Sequence, residues 1–122
     1  YHPRENYIAY RTDAAAAEAT ILFALERFDE ADAARRFIGN WPMYRQRGLV
    51  MHAVGVFERG DHQRALEIAG RFEDDDKQEA SVYTNLALLY ARAGGHREQA
   101  LRAYEQALER GAPVLAELEA LR

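Results

Sequence analysis

The side chains that could support catalysis or hold a metal are few in this sequence, and they lie far apart. The His residues, His2, His52, His62 and His96, lack the i, i+4 spacing with a nearby carboxylate that is typical of metal ligands on a helix. Ser81 is the only Ser and there is no Cys, so no nucleophile stands within a catalytic pattern. We therefore expect a chain that is not an enzyme and that holds neither a metal nor a cofactor.

Two short segments could bind ions, and neither has the pattern of a known site. The acidic run at residues 73–76 lacks the alternation of carboxylates and Gly found in calcium loops, and we read it as a solvated loop. Gly94 and Gly95 follow a predicted helix rather than a strand, whereas a glycine-rich phosphate loop follows a strand. We therefore expect this chain to act through a binding surface rather than through a reactive group.

Length and charge narrow the classes of partner. The chain has 122 residues and a formal net charge of −4, which suits one domain with its own core. It has no cluster of Lys or Arg, which disfavours binding to nucleic acid or to a membrane surface. No apolar run approaches the length of a transmembrane helix. The absence of Cys fits either the cytoplasm or the periplasm, and the start at Tyr1 rather than Met predicts a piece of a longer protein.

Abundant Ala, Leu, Glu and Arg predict an all-α chain. An internal repeat becomes visible when the sequence is aligned with itself at a shift of 34 residues. Small, large and turn residues then keep one register through three copies. The equivalent sets are Ala19, Ala53 and Ala87; Leu22, Val56 and Tyr90; Phe28, His62 and His96; and Glu26, Gly60 and Gly94. The third set stands beside the turn, so His62 and His96 are interpreted as packing residues at helix starts.

Each copy is predicted to be a pair of helices joined by a tight turn. In the third copy the helices cover residues 81–93 and about 96–110, with Ser81 as the expected N-cap. In the second they cover 49–59 and 62–72, and in the first they cover 12–25 and 29–38, before a break at 39–42. The resulting partition is an N-terminal arm or upstream helix end at 1–11, repeats at 12–42, 46–77 and 80–112, and a capping helix at 113–122 that begins with Pro113.

The third copy carries a family resemblance. Its residues 85–90, followed by Gly94, Ala100, Tyr104 and Ala107, closely resemble the tetratricopeptide repeat. The resemblance implies a right-handed α-solenoid of antiparallel helix pairs, with Ala87 and Ala100 where the two helices of a repeat approach closely. It also implies that binding occurs on a concave face built by the first helix of each repeat.

Carrying the inward positions of the family onto this sequence gives a set of candidate partner-binding residues. They are Asp13, Ala16, Thr20, Phe23, Arg47, Val50, Val54, Phe57, Ser81, Thr84, Asn85, Leu88 and Arg92. Phe23 and Phe57 would form an aromatic ladder in an apolar groove, or would instead pack against the N-terminal arm or a neighbouring repeat. Only Asn85 and Arg92 match the clamp with which some members grip a C-terminal carboxylate, so we do not expect that mode.

The expected function is that of a protein interaction scaffold, with a peptide or partner protein in the concave groove. One alternative is an assembly module of a larger multi-repeat protein, as in bacterial secretion or envelope polysaccharide export, which would self-associate through the apolar stripe of the C-terminal helix. That stripe consists of Val114, Leu115, Leu118 and Leu121. A second alternative is an RNA-binding helical repeat, which the net negative charge and the 34-residue step disfavour.

Overall fold

A computed structural model describes residues 21–22, 24–33, 41–73 and 78–122 of the chain. Several predictions concern residues outside these ranges. They are the arm at 1–11, the helix start near residue 12, most of the loop at 73–76, and the site residues Asp13, Ala16, Thr20 and Phe23.

The described residues form helices and turns and contain no strand, which confirms the predicted all-α class. The helices are α1 (Phe28–Ala33), α2 (Trp41–Glu58), α3 (His62–Ala69), α4 (Ala80–Ala93), α5 (Arg97–Glu109) and α6 (Ala116–Glu119). The chain divides into two compact units, residues 1–48 and 49–122. In the described part of the chain, no helix has both the length and the apolar character needed to cross a membrane.

Two helices begin earlier than the sequence indicated. The first helix of the second copy was expected at residue 49, but α2 starts at Trp41. Pro42 therefore lies in its first turn, where the missing N–H of Pro leaves no hydrogen bond unmade. Likewise Ser81 is not the N-cap of α4, because Glu79 holds that position and Ser81 falls inside the first turn.

The residues at the predicted tight turns share a positive φ angle. Gly60 and Gly94 follow α2 and α4 with φ angles of 98° and 76°, a region that L-residues with a side chain rarely adopt. Glu26, the equivalent residue of the first copy, has a φ of 59° and is the non-glycine residue with positive φ in the described part of the chain. The positive φ of Glu26 shows that this position has a left-handed backbone conformation even without Gly.

The pair α4 and α5 is the best-packed part of the second unit. The turn at Gly94 and Gly95 reverses the chain, so the two helices lie antiparallel and in contact. Ala87 and Ala100 are fully buried between larger neighbours such as Tyr104, as expected where two helix backbones approach closely. The other side of α4 contacts α3, so α4 lies between the second helices of two consecutive copies.

The C-terminal segment folds back onto this pair. The predicted capping helix from Pro113 is in fact a single turn, α6, whose N-cap is Leu115. Leu118 is fully buried, and the hydroxyl of Tyr104 accepts a hydrogen bond from the backbone N–H of Leu115 (3.2 Å) and donates one to Glu119 Oε1 (2.7 Å). The apolar stripe of the C-terminal segment is thus partly buried against the rest of the chain, and Val114 is its exposed member.

Candidate functional site

The face of α4 that was predicted to bind a partner is a continuous surface. Ser81 and Arg92 are exposed, and Thr84, Asn85 and Leu88 between them are half-buried. These positions recur at intervals of three or four residues and therefore share one side of the helix. The Thr84 hydroxyl donates to the carbonyl of Ala80 (3.1 Å), so its polar group is satisfied by its own helix.

The neighbouring face of α2 departs from the prediction at one position. Val54 and Phe57 are half-buried and reach the surface, but Val50 is only 1% exposed and belongs to the core. The accessible residue one position later is Met51, with 55% of its surface exposed. Arg47, in the first compact unit, is exposed and already interacts with another group of the chain.

A cleft of about 90 Å³ lies between these faces of α2 and α4. It brings together five of the candidate residues and leaves out Arg47, Val50, Ser81 and Thr84. The residues that line it are Val54, Phe57, Glu58, Asn85, Leu88, Leu89 and Arg92. We call this the inner cleft. Glu58 and Leu89 were not predicted.

Two residues that line the inner cleft, Asn85 and Arg92, interact with residues of α2 that stand 34 positions earlier in the sequence. Asn85 Nδ2 lies 4.0 Å from Met51 Sδ, a weak contact with the thioether, and Glu58 acts electrostatically on Arg92. Both pairs are 34 positions apart in the sequence. The register alone could therefore have found Met51 and Glu58, as the partners of the predicted Asn85 and Arg92.

The positive charge of Arg92 in the inner cleft is balanced by Glu117 of helix α6. Arg92 binds both carboxylate oxygens of Glu117, with Nε–Oε2 and Nη2–Oε1 distances of 2.9 and 3.1 Å. This hydrogen bonding lowers the pKa of Glu117 and raises the pKa of Arg92. Arg92 is thus already neutralised by an acid of the same chain.

Aromatic packing defines one end of the inner cleft. The ring of Phe57 stacks on His62 with centroids 4.0 Å apart and an interplanar angle of 12°. At the next turn His96 lies beside Tyr90, with centroids 5.8 Å apart. His62 and His96 therefore pack at helix starts, as their shared register predicted. The proposed ladder partner of Phe57, Phe23, lies outside the described residues.

The described residues that line the inner cleft include no Ser, Thr or His that could act as a nucleophile or general base. The cleft combines apolar side chains with one amide and one charged pair, which is the composition of a recognition surface. Among the described residues there is no group of three or more His, Asp or Glu close enough to hold a metal ion.

Comparison with known families agrees with this geometry. Residues 59–111 match the family model of the tetratricopeptide repeat. This part of the chain is similar to that family. The match covers α3, the α4 and α5 pair and the turns between them, and tetratricopeptide repeats are generally protein interaction modules and typically not catalytic. No curated protein and no solved structure gives a significant match to the chain.

Proposed function

We propose that this tetratricopeptide-repeat chain binds a partner protein through the inner cleft, and that the partner inserts one aliphatic side chain between α2 and α4. The observation that supports this proposal is that one cleft is lined by Val54, Phe57 and Leu88, which come from two consecutive copies. Apolar side chains held half-exposed on a helical face suit an amphipathic helix or an extended segment.

The polar rim favours a protein partner over nucleic acid. Nucleic acid binding depends on cations that are free to neutralise phosphates. Among the described residues that line the inner cleft, Arg92 is the only cation, and it interacts with both Glu58 and Glu117. A peptide with uncharged or mixed polar residues beside its apolar anchor is the occupant that fits this rim.

The proposal is tested by selecting random 12-residue peptides on the immobilised wild-type chain and measuring the affinity of the enriched peptides by fluorescence anisotropy. We expect them to carry an aliphatic anchor, and we expect Leu88→Glu to weaken binding by about tenfold or more, because the apolar contact is replaced by a charge that must be desolvated.

Gln63→Glu is the matched control, because it adds the same charge at an exposed position of α3 that does not line the cleft. It should leave the affinity unchanged, and circular dichroism should show equal helicity for both variants. Enriched peptides that bind Leu88→Glu as tightly as the wild type would refute binding at the inner cleft.

A further inference from the structure

A second and larger cleft, of about 180 Å³, lies among α3, α4 and α5. Its lining is partly aromatic and aliphatic, with Phe72 after α3, Leu86 and Tyr90 on α4, and Ala103 on α5, and partly polar. The polar side chains come from α5, and Arg102 is the only charged one among the described residues that line the cleft. We call it the outer cleft.

The outer cleft lies on the opposite side of α4 from the inner cleft. Each helical residue turns the side-chain direction by about 100°, so Leu86 and Tyr90 point roughly half a turn away from Asn85 and Leu88. No residue lines both clefts. A ligand in one therefore leaves the other accessible.

The short length of α3 and small side chains leave this space open. Helix α3 ends at Ala69, whereas the facing α5 continues through Glu109. Gly70 follows Ala69 at the cleft, and Ala103 stands on the opposite wall. The rings of Phe72 and Tyr90 remain half-exposed above a buried floor that includes Leu86.

The polar groups at the rim are available to a ligand. Among the described residues, Arg102 makes no ion pair, and neither the Tyr90 hydroxyl nor the Gln99 side chain makes a hydrogen bond. Burial raises the pKa of Tyr90, and the positive charge of Arg102 partly opposes that rise, so the two groups are close enough to interact. Together they offer a guanidinium and a hydroxyl donor above an apolar floor.

We propose that the outer cleft is a second binding site, for a peptide segment of a partner protein in which an apolar side chain is followed by a single carboxylate. The apolar side chain would contact Leu86 and Ala103, and the carboxylate would accept hydrogen bonds from Arg102 and Tyr90. Charge complementarity supports the carboxylate, because Arg102 is a cation that makes no ion pair with the described residues. Glu73 directly follows Phe72, so a strongly acidic segment would be repelled and one carboxylate is the favoured number.

The probe is the blocked tetrapeptide acetyl-Gly-Leu-Glu-Gly-amide, titrated into ¹⁵N-labelled wild-type chain and followed by amide chemical shifts. We expect saturable shifts at residues 69–72 and 99–106. The peptide in which Gln replaces Glu should bind about tenfold more weakly, as should the original peptide to Arg102→Gln, because a charge-assisted hydrogen bond is lost in each case.

Two more variants separate recognition from folding. Tyr90→Phe removes only the hydroxyl and should weaken binding by about tenfold, because its hydrogen bond to the carboxylate is charge-assisted. Arg59→Gln removes an exposed cation that lines neither cleft and should change nothing. If the Glu and Gln peptides bind equally well, or if Arg102→Gln leaves the affinity unchanged, the contact is purely apolar and the proposal is overturned. The absence of saturable shifts would show that the peptide does not bind at the outer cleft at all.

Discussion

At the scale of single residues, the backbone turn was easier to predict than the surface. The register placed Glu26 where Gly60 and Gly94 make their turns, and all three have positive φ. A tight turn depends on the backbone angles of a few consecutive residues, so its position can be predicted from the spacing of residues in the sequence. The exposure of Val50 depends instead on how α2 is rotated relative to its neighbours. Val50 is buried, and the next residue, Met51, is exposed in its place.

The pair formed by Arg92 and Glu117 leads to a prediction about acid pH. In wild-type protein we expect the carboxyl carbon of Glu117 to titrate below the ordinary value of 4.5, because Arg92 donates hydrogen bonds to the ionised form. Since the pKa is lowered in the folded state, the contribution of this pair to stability is present above the unfolded pKa and is lost as the pH falls through the lowered value. The titration is followed by ¹³C NMR.

Arg92→Gln should raise the midpoint of Glu117 in that titration, whereas Arg59→Gln should leave it unchanged. The effect on the free energy of unfolding should stay below about 1 kcal/mol, because both side chains are about half exposed and solvent screens the pair. An unchanged midpoint in Arg92→Gln would show that the pair does not form in solution.

At the scale of elements, the sequence predicted which helices exist better than where they begin. Starts were misplaced at α2 and α4 because Pro42 and Ser81 were read as boundary signals. Both residue types are also tolerated within the first turn, where the backbone N–H groups have no partner in the helix. The ends were better defined, since Gly60 and Gly94 need a conformation that helices exclude.

The single-turn helix α6 is predicted to be held mainly by one side chain. Leu118 is fully buried where α6 contacts α4 and α5, so Leu118→Ala should lower the free energy of unfolding by about 3 kcal/mol through lost apolar contact and a residual cavity. The measurement is chemical denaturation followed by circular dichroism.

Val114→Ala is the matched control for that change, because it shortens an aliphatic side chain of the same segment that is 68% exposed. It should alter the free energy of unfolding by no more than about 0.5 kcal/mol. A similar small effect of Leu118→Ala would mean that the C-terminal turn does not pack on the helix pair in solution.

At the scale of the whole molecule, α4 has two roles that its sequence encodes on opposite sides. Ser81, Asn85, Leu88 and Arg92 follow the inner face, and Tyr83, Leu86 and Tyr90 follow the outer one. The cleft on the inner face contains Asn85, Leu88 and Arg92, which the family resemblance had assigned to a partner-binding face of α4. The outer cleft was not predictable from the sequence, since it depends on where α3 ends and on small residues contributed by two other segments.

This arrangement predicts that the two clefts bind independently. The affinity of a selected inner-cleft peptide, measured by anisotropy, should change by less than about twofold when acetyl-Gly-Leu-Glu-Gly-amide saturates the outer cleft, because the sites share no lining residue and separate contacts are close to additive. Leu88→Glu should weaken only the first interaction and Arg102→Gln should weaken only the second. Unlabelled inner-cleft peptide provides the control, since it must displace its labelled copy completely. Displacement of the labelled peptide by the tetrapeptide would instead mean that both ligands occupy one site, and the chain could not then join two partners through opposite sides of α4.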